Sequence, residues 1–448
     1  MSKFNMKNEY LSLNELDKLQ NNYNKDDKNV ILRHALSKTS IPDVIYVSES
    51  EHDLENKFSI DLKTMNVCNQ KQSGRCWIFA GLNILREIIG KKLNVEQFEL
   101  SQNYVAFFDK LEKINFTLSS VMELLDKEHD DRTLMHILTN GVGDGGQWDM
   151  FANLVKKYGV CPKNAMVETY QSSGTRESDV LINSMIRKFA ADASKLYKEE
   201  KYDQIKEMKD ELIQKSYNLL ANCFGVPPKT FNLEYVDKDN KYHLVQNLTP
   251  KQFFDEFIGS EIDEYQSITN APTKDKPYLK TFTIKYLGNV IEGKKVVHLN
   301  LTMDRIKEII INQLSNNEPV WFGSDVSYYR NRTTGVWDTL SYDYMSAFGL
   351  DVKFSKEDML NYFNSAMNHA MVITGVNLVN GKANKWKIEN SWGDDIGNKG
   401  YFIMSSDFFD RFVYQAVVNK KYLDKEELEA LEKEPVELKP WDPMGTLA

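Results

Sequence analysis

Cysteine is scarce in this 448-residue chain, and its few cysteines are widely spaced. The four are Cys68, Cys76, Cys161 and Cys223, and no two of them form a Cys-x-x-Cys pair. So few thiols do not make a disulfide framework, which favours a reducing compartment. The cysteines and the seven histidines also show no clustering at metal-ligand spacing. We therefore expect no metal site.

Long uncharged apolar runs and clustered positive charge are missing as well. No stretch approaches the ~18–20 apolar residues of a membrane-spanning helix, and the first ten residues lack the apolar core of a signal peptide. The formal net charge is −9, whereas nucleic acids and anionic membranes bind clustered Lys and Arg. These absences predict a cytoplasmic protein with no membrane partner, and they argue against nucleic acid as a partner.

The composition that is present is that of a folded protein, with 42% hydrophobic and 27% charged residues. A single hydrophobic core rarely grows beyond roughly 250–300 residues, so a chain of this length should hold several parts. Shifts in pattern predict five of them. They are a polar N-terminal arm (1–60) with a capping-box pattern at Ser12-Leu-Asn-Glu15, a helical lobe (61–171), an inserted and mainly helical subdomain (172–300), a strand-rich lobe (301–433), and a proline-rich, extended C-terminal arm (434–448).

The segment around Cys76 combines a thiol with features that activate one. Apolar residues recur at helical spacing after Cys76, so a helix should begin at or near it and end at Gly90. The free N–H groups and partial positive charge of a helix N-terminus favour a thiolate. Gln70 precedes Cys76 across a glycine-containing loop, and its amide, with the backbone N–H of Cys76, can hold the oxyanion of a tetrahedral intermediate. A lone cysteine is more often a buried structural residue, but Gln70, Gly74, Trp77 and the helix start together favour Cys76 as a nucleophile.

A base and the residue that orients it are predicted at the ends of two later strands. His369 opens one apolar strand and Asn390 closes another, so adjacent strands can bring the two side chains together. The amide oxygen of Asn390 can accept the Nδ1 proton of His369, and a neutral amide suffices when the resting pair is thiolate and imidazolium. Trp392 can shield this hydrogen bond from water. Taken alone, His369 would more often be a core residue and Asn-Ser-Trp a turn, but together they favour catalysis.

These segments resemble the papain family of cysteine peptidases in their order and local spacing. The resemblance rests on the segment around Cys76, Gly145-Gly146, Asn368-His369-Ala370, and Asn390-Ser-Trp-Gly393 with Gly397 and Gly400-Tyr401. It implies an α+β fold of two lobes, one helical and one built around an antiparallel, barrel-like sheet. It also implies that Gly145 and Gly146 bind substrate through their backbone, that Asn368 contacts substrate, and that Trp77 and Trp392 support the site.

Departures from ordinary papain relatives narrow the resemblance. Cys76 and His369 are separated by about twice the roughly 130–150 residues usual in that family, which matches the predicted insertion. Gly74 and Asp144 stand where paired cysteines are common. The chain is similar along nearly its whole length to the bleomycin hydrolase and bacterial aminopeptidase C family. The similarity is carried by residues 70–80, Gly-Asp-Gly-Gly-Gln-Trp (143–148), Trp-Phe-Gly-Ser-Asp-Val (321–326) and the terminus Trp-Asp-Pro-Met-Gly-Thr-Leu-Ala (441–448).

The narrower resemblance also assigns a role to the C-terminal arm. In that family the arm lies in the substrate cleft beside the catalytic cysteine. The carboxylate of Ala448 would then face the α-ammonium of an incoming peptide, a charge-assisted contact of roughly 1.5–3 kcal/mol. The resemblance further implies a homohexamer, with the inserted subdomain supplying much of the assembly.

The sequence thus predicts a cytoplasmic thiol aminopeptidase that hydrolyses N-terminal residues from short peptides and uses neither metal nor organic cofactor. Cys76, His369, Asn390 and Gln70 are its predicted catalytic residues, acting through a thioester. Two alternatives stay open. One is a cysteine endopeptidase with a mobile tail, and the other is an oligomeric scaffold or nucleic-acid-binding protein. Salt-dependent retention on DNA without peptidase activity would identify the second.

Overall fold

The computed structural model describes residues 9–448, which form two compact units, residues 9–53 with 339–353 and residues 54–338 with 354–448. The helices are α1 (Leu13–Tyr23), α2 (Asp27–Leu36), α3 (Ile41–Ile45), α4 (Cys76–Leu93), α5 (Gln102–Glu123), α6 (Arg132–Asn140), α7 (Trp148–Tyr158), α8 (Arg176–Lys198), α9 (Tyr202–Phe224), α10 (Pro250–Phe257), α11 (Met303–Ser315), α12 (Tyr344–Phe348), α13 (Lys356–Asn361), α14 (Ser406–Phe412) and α15 (Lys425–Leu431). The strands are β1 (Ile60–Asp61), β2 (Phe231–Val236), β3 (Tyr242–Leu248), β4 (Tyr265–Thr269), β5 (Lys280–Ile284), β6 (His298–Asn300), β7 (Val320–Ser324), β8 (Arg330–Asn331), β9 (Val336–Trp337), β10 (His369–Val379), β11 (Lys382–Glu389), β12 (Tyr401–Ser405), β13 (Val413–Asn419) and β14 (Val436–Leu438).

The smaller unit consists mainly of α1, α2, α3 and α12. Ser12 caps α1, because its hydroxyl accepts a hydrogen bond from the Glu15 N–H while the Glu15 carboxylate accepts one from the Ser12 N–H at 2.7 Å. The predicted capping box is confirmed. Much of the predicted N-terminal arm (1–60) is therefore folded, and its first eight residues lie outside the described part of the chain.

Most strands of the larger unit join one sheet. Their order is β14-β5-β6-β4-β13-β7-β10-β11-β12-β9-β8, and β1 pairs with β10. Most neighbours run antiparallel, whereas β5–β14, β4–β6 and β9–β12 are parallel pairs. The combination of many helices with a large, mainly antiparallel sheet agrees with the predicted α+β class.

The interval predicted as an inserted, mainly helical subdomain (172–300) changes character along its length. It begins with α8 and α9, two helices of 23 residues each, and continues with the hairpin β2–β3, which forms a separate two-stranded sheet. From Tyr265 onward it contributes β4, β5 and β6 to the main sheet, where β4 pairs with β13. Because β4 is buried along nearly its whole length, this last part is integral to the sheet.

Helix α4 packs against β10 and carries the segment around Cys76. The prediction that this helix ends at Gly90 is wrong, because α4 continues to Leu93 and ends at Asn94, which takes a left-handed conformation with φ of 55°. Met65 packs closely against position 90, since a Cβ there would lie 2.1 Å from the Met65 Cε at the end of that flexible side chain. The glycine therefore permits close packing, and the left-handed asparagine ends the helix.

A buried ion pair ties α4 to the end of β11. Arg86 Nη2 lies 2.8 Å from Glu389 Oε1, and the Asn83 amide donates to the same oxygen at 2.8 Å. The next residue after Glu389 is Asn390, so the pair fixes the helix that begins at Cys76 against the strand that precedes Asn390. Loss of one partner would leave a buried charge uncompensated, at a cost of about 3–5 kcal/mol.

Candidate active site

The Cys76 thiol lies at the N-terminus of a helix, where the sequence predicts it. Cys76 is the first residue of α4 and is only 2% exposed. The backbone N–H of Ala370 donates to its sulfur at 3.4 Å, so the thiol lies against the first residues of β10. Burial raises the pKa of the thiol to about 12, while the N–H groups of Ala370 and Trp77 act in the opposite direction.

His369 and Asn390 meet at the ends of two paired strands. His369 is the first residue of β10, and Asn390 follows the last residue of β11. His369 Nε2 lies 2.9 Å from Asn390 Oδ1, and the Ser391 N–H donates to that same oxygen at 2.8 Å. The sequence assigned this hydrogen bond to Nδ1, whereas in the structure Nε2 makes it. Asn390 therefore does not occupy Nδ1, the nitrogen that can exchange a proton with the thiol.

Burial shifts the pKa of His369 as well as that of Cys76. It lowers the pKa of His369 to about 4; the hydrogen bond that the ring donates to Asn390 opposes this shift, and the charges of Arg330 and Arg332 add to it. Burial thus disfavours the charged form of each group taken alone, whereas the sequence led us to expect a resting thiolate and imidazolium. Moving a proton from the sulfur to the ring creates opposite charges that stabilise each other.

Trp392 covers the imidazole. Its ring stacks on that of His369 with a centroid separation of 4.8 Å and an interplanar angle of 25°. On Trp392 lies Arg332, whose guanidinium carbon is 4.6 Å from the ring centroid. Trp392 therefore shields one face of His369 from water, the position that the sequence predicts for it.

The amide of Gln70 is held in a fixed orientation. Its Nε2 donates to the Ser73 carbonyl at 2.7 Å, and its Oε1 accepts from the Ser391 hydroxyl at 2.6 Å. The backbone N–H of Gln70 also donates to the Ser391 carbonyl at 2.8 Å. An amide has two N–H donors, so the second remains for a substrate oxygen. The structure thus links Gln70 to the residue that follows Asn390.

The C-terminal arm reaches the predicted glycine pair. Gly146 and Ala448 exchange two backbone hydrogen bonds of 3.2 Å each, and Gln147 Nε2 donates to the Thr446 carbonyl at 2.5 Å. A Cβ on Gly145 would lie 2.8 Å from the Ala448 oxygen, so the missing side chain lets the arm approach. The structure therefore brings Gly145, Gly146 and Ala448 together as a short strand-like pairing.

The Trp77 side chain packs against the pairing between Gly146 and Ala448. The side chain is fully buried, and its indole N–H donates to the Asp144 carbonyl at 2.6 Å. A Cβ on Gly146 would lie 2.4 Å from the Trp77 ring. Trp77 follows Cys76 directly. The loop that carries Gly145 and Gly146, called the glycine loop below, is therefore held at a fixed position relative to the nucleophile.

Gly74 and Asp144 form a non-covalent tie between two loops. The Gly74 N–H donates to Asp144 Oδ2 at 2.7 Å, and Asp144 Oδ1 lies 2.8 Å from Lys110 Nζ. Burial by itself would raise the pKa of Asp144. The Lys110 ammonium outweighs this effect and lowers the pKa to about 2. The carboxylate is therefore charged at neutral pH and fixes the loop before Cys76 where paired cysteines are common in papain relatives.

Asn368 lies on the exposed rim beside His369, with its side chain held in place. Its Nδ2 donates to Asp325 Oδ1 at 2.6 Å and to the Ser327 hydroxyl at 2.7 Å, while its Oδ1 accepts from the Val326 N–H at 3.0 Å. Asp325 is 2% exposed. Contact between Asn368 and substrate stays a prediction.

A cleft of about 740 Å³ opens between Asn368 and the arm residue Leu447.

Lys113 holds the glycine loop through hydrogen bonds to its carbonyl groups. Its ammonium, which is buried, donates to the Gly145 carbonyl at 2.6 Å and to the Gly143 carbonyl at 3.2 Å, and it pairs with the Asp109 carboxylate at 2.6 Å. Burial lowers the pKa of Lys113, and the Asp109 charge opposes this shift. The ammonium therefore aligns carbonyls next to the backbone that pairs with Ala448.

Replacing Lys113 with methionine is expected to lower the free energy of unfolding by about 3–5 kcal/mol, because it leaves the buried Asp109 carboxylate without its cation. The double variant Asp109→Asn with Lys113→Met should regain part of that loss, since no uncompensated charge remains. Urea unfolding of the wild type and the variants measures both values. A Lys113→Met protein as stable as the wild type would show that the ion pair does not hold the loop.

Several of these positioning residues were not singled out from the sequence. Ser391 and Asp325 lie inside segments that carried the family resemblance, so their neighbours were the available signal. Nothing in the sequence marked Lys113 as a positioning residue, because a lysine within a helix is usually solvated.

No group of three or more His, Cys, Asp or Glu side chains among residues 9–448 is arranged to hold a metal ion. Of the helices in the described chain, none combines the length and apolar character needed to cross a membrane.

Comparison with known proteins gives consistent matches over nearly the entire length. The model of the peptidase C1-like family matches residues 10–445. The chain is 44% identical over 442 residues to aminopeptidase C of Lactobacillus delbrueckii subsp. lactis, covering 98% of each protein. It is 41% identical over 438 residues to aminopeptidase C of Listeria innocua, covering 98% of this chain and 99% of that protein. The crystal structure of PepW from Lactobacillus rhamnosis matches with a TM-score of 0.95 and 42% identity, covering 98% of this chain and 100% of that one.

Proposed function

Since this chain belongs to the peptidase C1-like family, we propose that it is a papain-like cysteine aminopeptidase that removes N-terminal residues from short peptides. The family resemblance and the papain-like fold predicted from the sequence are confirmed, and relatives that match along nearly the whole chain are named aminopeptidase C. One observation supports the restriction to N-termini: Ala448 pairs with the backbone of Gly146, which packs against Trp77, the residue after Cys76.

In the proposed reaction, the sulfur of Cys76 attacks the scissile carbonyl carbon as His369 takes the thiol proton. The resulting oxyanion accepts hydrogen bonds from the free amide donor of Gln70 and the backbone N–H of Cys76. His369 then gives its proton to the leaving amine as the C–N bond breaks, which leaves a thioester. Asn390 keeps the ring oriented throughout by its bond to Nε2.

Water completes the cycle. His369 takes a proton from the water molecule as its oxygen attacks the thioester carbonyl, and the same two donors hold the second oxyanion. Collapse of this intermediate breaks the C–S bond, releases the carboxylic acid and returns the proton to the Cys76 sulfur. Neither an oxidant nor a cofactor is needed to balance these steps.

The C-terminal arm supplies the recognition of the free N-terminus in this proposal. A carboxylate has two oxygens and about four acceptor positions, and the pairing with the Gly146 N–H uses one of them. The remaining positions suit the α-ammonium of a peptide, with a charge-assisted contact of roughly 1.5–3 kcal/mol. Ala448 is 5% exposed, so the contact is screened little by solvent.

A panel of aminoacyl-arylamides with free and acetylated N-termini tests the proposal. The free compounds should have a kcat/KM at least about tenfold higher, since acetylation removes the ammonium charge that the carboxylate binds. Equal values for the two sets would reject an aminopeptidase, and faster cleavage of blocked peptides at internal bonds would favour an endopeptidase.

Assembly and location complete the proposal. The homohexamer is proposed on the resemblance to the bleomycin hydrolase and aminopeptidase C family that the sequence carries. Apolar side chains that the interval 172–300 leaves exposed, which include Val180, Leu181, Tyr202, Val226, Val236, Tyr242 and Leu244, are available for contacts between subunits. Light scattering coupled to size-exclusion chromatography measures the mass; a monomer at micromolar concentration would contradict the hexamer. The cytoplasmic location rests on the few, unpaired cysteines.

A further inference from the structure

Arg332 lies in the turn between β8 and β9, close to Trp392. Its guanidinium carbon is 4.6 Å from the centroid of the Trp392 ring, and the same ring stacks on the imidazole of His369 with a centroid separation of 4.8 Å. Trp392 thus contacts both the guanidinium and the imidazole. A positive charge is placed one aromatic ring away from the predicted base.

The guanidinium of Arg332 keeps its hydrogen-bond donors for a partner from solution. Arg332 is exposed, and within residues 9–448 its recorded neighbour is the Trp392 ring rather than a carboxylate. Stacking uses the face of a guanidinium and leaves its five N–H donors at the edge. A planar fork of this kind matches a carboxylate in two-point contact.

The proposed function places the leaving group next to Trp392. The arm holds the substrate N-terminus at Gly146, so the chain beyond the scissile bond must leave on the other side of Cys76. His369 protonates the leaving amine, which therefore lies at the imidazole. Because Trp392 covers His369, the residue that follows the scissile bond lies beside Trp392 and within reach of Arg332.

We propose that Arg332 determines specificity on the leaving side by binding a carboxylate on the residue that follows the scissile bond. The inference rests on the proposed aminopeptidase function. That carboxylate is either the C-terminus of a dipeptide or an acidic side chain at the second position of a longer peptide. The shared chemistry is a planar anion that pairs with an exposed, pre-oriented guanidinium.

Two pairs of substrates distinguish the sources of the carboxylate. Ala-Leu is compared with Ala-Leu amide for the C-terminal carboxylate, and Ala-Glu-Leu amide with Ala-Gln-Leu amide for the side chain. For each pair the ratio of kcat/KM, acid over amide, is measured in the wild type and in Arg332→Gln. We expect at least one ratio to fall about threefold to tenfold in the variant. Because both substrates of a pair share the same His369, a general effect on the base cancels in the ratio.

Matched controls separate recognition from packing and from overall charge. Arg187→Gln removes another exposed guanidinium, one that donates to the Leu138 carbonyl on a different surface, and should leave both ratios unchanged. Arg332→Lys should retain part of the preference, since charge remains but the planar fork is lost. Raising the salt concentration should weaken the wild-type preference.

Unchanged ratios for both pairs in Arg332→Gln would overturn the inference, even if the overall rate falls, because that result assigns Arg332 to packing alone. The aminopeptidase proposal is judged separately, by wild-type hydrolysis of free against acetylated arylamides. These substrates have no carboxylate on the leaving side, so failure of one proposal is distinguishable from failure of the other.

Discussion

Replacement of Cys76 by alanine is expected to lower kcat for aminoacyl-arylamides by at least about 10⁴-fold. The variant retains the oxyanion donors and the arm but has no atom that can form the thioester. Residual turnover should come only from binding and from polarisation of the carbonyl. A burst of released arylamine, which reports the thioester in the wild type when deacylation is slow, should also vanish.

The loss must reflect chemistry and not unfolding. Cys76 is buried at a helix start, so truncation to alanine should cost only about 1 kcal/mol of stability. Cys223 offers a matched control, since it is a half-buried cysteine in α9 outside the site. Cys223→Ala should keep wild-type activity and stability. Hydrolysis at the wild-type rate by Cys76→Ala, with a normal unfolding transition, would end the assignment of the nucleophile.

The sequence predicted correctly those parts of the site that depend on local structure. A helix that begins at Cys76 follows from apolar spacing, and the strands that present His369 and Asn390 follow from short β-type runs with glycine nearby. Motif order then places the thiol, imidazole and amide in one site. The starts of the helix and strands depend on residues close together in sequence, whereas the meeting of the three side chains was predicted from the order of the motifs and their resemblance to the papain family.

The features that the sequence did not predict depend on packing between distant segments. The sequence assigned the hydrogen bond with Asn390 to the wrong imidazole nitrogen, because the orientation of the His369 ring depends on the side chains packed around it. Helix α4 continues past Gly90 and ends at the left-handed Asn94, and the packing of Met65 against Gly90 joins segments that are distant in sequence. Lys113 and Asp109 have an ordinary helical spacing, and only burial against the glycine loop reveals their role.

Deletion of residues 445–448 is expected to reduce the preference for a free N-terminus by about 10-fold to 100-fold. The deletion removes the carboxylate that the α-ammonium would contact, a loss of roughly 1.5–3 kcal/mol. It also vacates the backbone of Gly146, which then can pair with an additional substrate residue on the N-terminal side of the scissile bond. The ratio of kcat/KM for free over acetylated arylamides should therefore fall, and blocked peptides should become substrates.

The deletion is a clean test because the anchors of the arm precede it. Strand β14 pairs with β5, Asp442 lies 3.1 Å from Lys276 Nζ, and the Trp441 ring lies 3.8 Å from the guanidinium carbon of Arg132. Truncation after Met444 keeps all three contacts and should leave the unfolding midpoint nearly unchanged.

A second variant separates the charge of the arm from its bulk. Leu447→Ala leaves the terminal carboxylate in place and only trims a half-exposed side chain of the tip, so it should retain the preference for free N-termini. If truncation and Leu447→Ala weaken the preference equally, the arm acts by filling space and not through its carboxylate. If truncation leaves the free-to-acetylated ratio at the wild-type value, the arm does not read the N-terminus at all. The protein would then be an endopeptidase whose tail only occupies the cleft.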